Sequence, residues 1–111
     1  MKIAIVISSP EAENVWNALR FGNMALGYDN DVVIFLLGRG VEIVASHSLK
    51  YNIHEQLEIF REYEGKLMGC GVCVESRSDT HPLLKEELQC ELGSMQDLYM
   101  LIASADKILN F

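Results

Sequence analysis

Two uninterrupted apolar runs, Lys2–Ile7 and Asp31–Leu37, restrict this chain more than any other feature. Both are rich in Ile and Val, and neither alternates with polar residues, which is the pattern of a strand buried on both faces. A sheet of such strands needs helices on each side, so a parallel α/β arrangement is expected. The first connecting segment fits. Ser9 is placed to cap a helix, Pro10 suits its first position, and Glu11 and Glu13 suit its positive start. Val15, Leu19, Gly22 and Leu26 recur at helical spacing, with Trp16 and Met24 widening the stripe. Gly27 suits a C-cap and Asp29-Asn30 a turn.

The rest of the chain keeps the alternation. Gly38-Arg39-Gly40 leads into a short helical stretch, Val41 to His47, which Tyr51-Asn52 breaks. Asn52 can cap a helix from Ile53 to Tyr63 with Leu57 and Phe60 inward, closed by Glu64-Gly65. Lys66–Gly69 is expected as a third strand that delivers Cys70. Ser78–Pro82 reads as a polar loop, and Leu83–Leu88 has no defined pattern. Gln89–Leu92 is expected as a fourth strand containing Cys90, with Gly93-Ser94 turning it into a helix. There Ser94 and Asp97 form a capping box, Leu98, Leu101 and Ile102 point inward, and Lys107–Phe111 makes a fifth strand. The expectation is one domain, residues 1–111, with a three-layer α/β/α fold and a five-stranded, mainly parallel sheet.

Right-handed crossovers gather the loops that follow parallel strands along one edge, where ligands bind. Those loops are Ser8-Ser9, Gly38-Arg39-Gly40, Cys70–Cys73 and Gly93-Ser94. The net charge of −7, with nine Lys and Arg scattered singly, argues against nucleic acid and anionic membrane as partners. The opening apolar run is too short for a signal sequence or a membrane span. Three cysteines, an odd number, do not suit a disulfide framework, so a reducing, cytoplasmic location is expected.

The sharpest chemical signal is Cys70 and Cys73, three positions apart, with Gly69 and Gly71 flanking the first. A thiol at a strand end and a helix start is poised to react, and Cys73 is near enough to attack whatever Cys70 carries. Glycines on both sides weigh against a purely packed role. A thioredoxin-like redox motif shares the spacing but lacks the usual preceding aromatic residue and lies after the third strand. A zinc set of Cys70, Cys73, Cys90 and His81 is permitted by spacing, although no second paired motif supports it. Ser8, Gly38, Arg39, Gly40, Gly71 and Arg77 are the candidate binding residues, with Arg39 and Arg77 able to hold an anion. Gly38-Arg39-Gly40 lacks the further glycine of a dinucleotide fingerprint and the lysine of a P-loop, so no cofactor and no metal is assigned.

Taken together, Leu36-Leu37-Gly38-Arg39-Gly40-Val41, Met68 to Arg77, and the ending from Leu92 to Phe111 resemble the DsrE/DsrF family, including its small YchN-like members. The resemblance implies a five-stranded parallel α/β fold and assembly into homotrimers or homohexamers, for which Tyr99 and Met100 suit an interface. It also implies sulfur relay between protein donors and acceptors, as in tRNA thiolation and dissimilatory sulfur oxidation. The sulfur-carrying cysteine of the family corresponds to Cys70, seven residues before Arg77. Two features depart from the pattern: a second cysteine, Cys73, and Ser78 where a glycine commonly follows the arginine. The implied function is a small sulfur carrier or sulfurtransferase-like protein with a persulfide on Cys70 and Cys73 as resolving thiol. The alternative is a non-catalytic oligomeric module whose cysteines bind a metal or small ligand.

Overall fold

The computed structural model describes all residues, Met1 to Phe111. Five strands form one sheet: β1 (Lys2–Ile7), β2 (Asp31–Leu36), β3 (Lys66–Cys70), β4 (Glu91–Gly93) and β5 (Lys107–Asn110). Their order is β4-β3-β2-β1-β5, and every pairing is parallel. Helices α1 (Ala12–Gly27), α2 (Ile53–Glu62), α3 (Gly71–Glu75), α4 (Leu84–Leu88) and α5 (Met95–Ser104) connect them, with a 3₁₀ segment over Gly38–Ser46.

Direction of travel decides the layers. From β1 to β4 the chain always steps the same way across the sheet, and right-handed crossovers then put all connections on one face. Accordingly α1, α2, the 3₁₀ segment and α4 pack on one another. The return from β4 to β5 runs the opposite way, so α5 covers the other face alone. Ile3, Ile5 and Ile7 of β1 lie on the α1 side, where Ile5 meets Gly22 and Phe60, while Ala4 and Val6 face α5. Ile5, Ile7, Ile34, Leu36, Phe35, Leu19 and Phe60 are completely buried and form the centre of the core.

The apolar runs become strands as expected, with local shifts that have physical reasons. Helix α1 starts at Ala12 because the Glu11 carboxylate accepts the N–H groups of Glu13 and Asn14. Ser9 instead accepts the Glu11 N–H, and Pro10 stays outside the helix. Gly27 is the last residue of α1, and Tyr28 caps it. The stretch expected from Val41 is a 3₁₀ helix that already includes Gly38-Arg39-Gly40. Cys90 precedes β4 instead of lying in it, because Gln89 takes a left-handed conformation, φ 49°, to end α4. Gly93 is correspondingly the last strand residue, and the Ser94–Asp97 capping box opens α5. Only Leu98 and Leu101 of α5 are buried; Ile102 is exposed.

Gly40 shows how tightly the 3₁₀ segment crosses the end of β1. A side-chain carbon there would collide with the Ile7 carbonyl, a backbone group that cannot swing aside. Gly40→Ala is therefore expected to destabilise the fold by about 2 kcal/mol, read as a lower denaturant midpoint at unchanged slope. Wild-type stability in that variant would show that the backbone can yield there.

Candidate functional site

The cysteine turn forms where the chain reverses its layer preference. Connections after β3 lie on the α1 side and the connection after β4 lies on the α5 side, so the carboxyl ends of β3 and β4 flank the topological switch of the sheet. Crevices at such a switch are where open α/β sheets bind ligands. Cys70 is the last residue of β3 and pairs with Gly93 at the end of β4. It is also the N-cap of α3, and its Sγ accepts the Cys73 N–H at 3.3 Å. Cys70 is 4% exposed, whereas Val72 at the tip of the turn is 78% exposed. A cavity of about 230 Å³ opens beside the turn, lined by Gly71, Leu92, His81 and Lys85 among others.

Cys73 ties this turn to the 3₁₀ segment. Its Sγ accepts the Gly38 N–H at 3.2 Å, and Gly38 itself sits at φ +57°, a conformation that favours glycine. The Cys73 carbonyl accepts Arg77 Nη1–H at 3.0 Å. Arg77 Nε in turn donates to Glu42 at 2.9 Å, from the 3₁₀ segment. Glu42 was not legible as a site residue; the only sequence signal was its spacing of three from Arg39, whose Nε lies 3.9 Å from it. The Arg77 hydrogen bond holds the Glu42 carboxyl below the usual carboxylate range, outweighing the opposing effect of burial, with the Arg39 and His81 charges assisting.

The candidate residues thus divide. Cys70, Cys73, Gly38, Gly71 and Arg77 come together. Arg77 is engaged by Glu42 and by backbone oxygen, and so braces the turn; Arg39 is 70% exposed beside it. Gly40 serves the close approach to Ile7 described above. Ser8 follows β1, two strands from β3, and its N–H is taken by the Phe111 carbonyl. Cys90 lies on the α4 side against Gly69, and burial raises its thiol above the ordinary range. Cys90 and His81 do not join the cysteine pair: nowhere are three His, Cys, Asp or Glu side chains grouped to hold an ion. All three cysteines are free thiols.

The DsrE/DsrF-like family model matches residues 1–111. The chain belongs to the DsrE/DsrF-like family. It is 29% identical, over the whole of both chains, to the uncharacterized protein MJ0989 of Methanocaldococcus jannaschii. Its fold is similar to that of the conserved protein of unknown function BT1422 from Bacteroides thetaiotaomicron. That match has a TM-score of 0.78 and 17% identity, and covers 99% of this chain and 94% of the other. No helix is long and apolar enough to cross a membrane.

Burial pushes the Cys73 thiol above the usual cysteine range; the Cys70 sulfur adds to the rise, and the Gly38 N–H opposes it. Less thiolate is therefore present at neutral pH than for a free cysteine. Alkylation of Cys73, followed by peptide mass mapping, should be slower at pH 7 than that of a free thiol. It should climb roughly tenfold per pH unit until above 9.0, the unperturbed value. A plateau below pH 8 would contradict this protonation state.

Proposed function

We propose that this DsrE/DsrF-like chain is a small sulfur carrier of sulfurtransferase type. The observation that carries the reading is the placement of Cys70, which ends a strand at the sheet's switch point with a backbone N–H aimed at its sulfur and a second thiol beside it. In the loading step Cys70 attacks the outer sulfur of a persulfide donor, R–S–SH, giving Cys70–S–SH and releasing R–SH. The Cys73 N–H supplies a fixed hydrogen-bond donor that orients the Cys70 sulfur. Cys73 is the thiol able to discharge the persulfide, and its raised pKa keeps that discharge slow at neutral pH. Such a carrier works in a reducing, cytoplasmic setting, and its donor and acceptor are proteins that approach the exposed tip of the turn.

The test is the intact mass of the protein after incubation with a persulfide donor, for wild type, Cys70→Ser and Cys73→Ser. One added sulfur is expected in wild type and Cys73→Ser and none in Cys70→Ser. No gain in wild type, with slow alkylation of both thiols or a retained zinc ion, would favour the non-catalytic binding module instead.

Assembly into a homotrimer or homohexamer belongs to the same reading. With α5 alone on its face, Met95, Tyr99, Met100, Ile102 and Ile108 are exposed, a grouping suited to a subunit interface. Light scattering coupled to size exclusion should give three or six times the 12.5 kDa chain, and Tyr99→Glu should shift it toward the monomer. A wild-type monomer would remove this part of the proposal.

A further inference from the structure

Residue Cys73 is the common anchor of two tethers to the 3₁₀ segment Gly38–Ser46. Its sulfur holds the Gly38 N–H, and its carbonyl holds Arg77, which holds Glu42. The rest of the segment is fixed independently. Val41 and Ile43 are fully buried, Gly40 abuts Ile7, and the Ser46 hydroxyl bonds the Pro10 carbonyl. The two ends of the first turn, Gly38 and Glu42, are thus the points whose attachment runs through Cys73, on either side of the fixed Gly40 and Val41.

We infer that the bonding state of the Cys70–Cys73 pair controls the start of this turn: the dithiol clamps Gly38-Arg39 to the site, and a Cys70–Cys73 disulfide releases it. A disulfide requires the two sulfurs to approach to about 2 Å, which draws Cys73 Sγ toward Cys70 and off the Gly38 N–H. Both sulfurs are hydrogen-bond acceptors in the reduced protein, so neither contact survives the covalent bond unchanged. Arg39, 70% exposed, lies within the released turn, so the surface beside the sulfur differs between the two states.

The inference rests on the carrier reading for one route to the disulfide. There the Cys73 thiol attacks the inner sulfur of Cys70–S–SH, the Cys70–Cys73 bond forms, the outer S–S bond breaks, and the outer sulfur leaves with the proton as H₂S. The sulfane sulfur is reduced and no external oxidant is needed. The same disulfide forms with an azodicarboxamide oxidant such as diamide, which takes two electrons and two protons from the thiols and becomes the hydrazine. The coupling can therefore be tested without sulfur transfer.

Amide hydrogen exchange would be measured on the full chain, reduced with dithiothreitol or oxidised with diamide, with the Cys70–Cys73 bond verified by peptide mass. Exchange at Gly38 should accelerate roughly tenfold on oxidation, the effect of losing one hydrogen bond to a partly buried donor, while β1 is unchanged. Cys73→Ala should exchange fast in this turn even when reduced and should not respond to diamide. Cys73→Ser, which keeps an acceptor, should stay slow in both conditions. A verified disulfide with unchanged exchange, failure of the pair to form a disulfide at all, or equal acceleration in β1 would each overturn the inference. Sulfur uptake on Cys70 without this coupling would leave the carrier reading standing. Coupling without sulfur uptake would leave only the redox clamp.

Discussion

β1 pairs with β2 on one side and β5 on the other, and the rest of the architecture follows from that interior position. Its residues are buried from both sides, so the sheet needs two covering layers. Handedness then distributes the helices unequally: four successive strands step one way across the sheet, and only the last connection returns. The result is a well-covered face under α1, α2 and the 3₁₀ segment, and a face that α5 covers alone. Two consequences matter for function. The carboxyl ends of β3 and β4 become the switch point that holds the cysteine turn, and an apolar strip along α5 is left exposed.

Within that frame the site is a set of short links between segments distant in sequence. Cys70 caps α3, Cys73 receives the Gly38 N–H, and Arg77 joins Cys73 to Glu42. The arginine that looked like an anion holder is satisfied by a carboxylate and a backbone oxygen. Its charge is partly neutralised, and its contribution is geometric: it fixes the turn that presents the thiol. Glu42 carries the reciprocal effect. Its carboxyl is held below the usual range, so its contribution to stability is present above the unfolded carboxylate value and is lost as pH falls through the folded one.

The two thiols of the turn sit in different surroundings. Cys70 receives a backbone donor from the helix it caps, and Cys73 is partly buried between Gly38 and Cys70. Burial favours the neutral thiol at Cys73 and outweighs the opposing Gly38 N–H and Arg77 charge. In the proposed carrier this division matters, because a second thiol ionised at neutral pH would discharge a persulfide before an acceptor arrived.

The sequence alone determined the strands and their parallel arrangement, because runs such as Lys2–Ile7 and Asp31–Leu36 have no polar face to offer solvent. It also marked the Cys70–Cys73 turn, since an apolar run that stops at two cysteines three apart places them at a strand end and a helix start. Cap chemistry was partly legible: Ser94 with Asp97 was read correctly, whereas Glu11 displaced Ser9 because its longer carboxylate reaches two N–H groups at once. Cys90 was misplaced because the left-handed turn at Gln89 leaves no mark in composition. What only the tertiary structure decided is which distant groups meet: Glu42 with Arg77, and the Gly38 N–H with Cys73. Those pairings span 35 residues and depend on β2 and β3 lying side by side, and local propensity carries no record of which strands become neighbours.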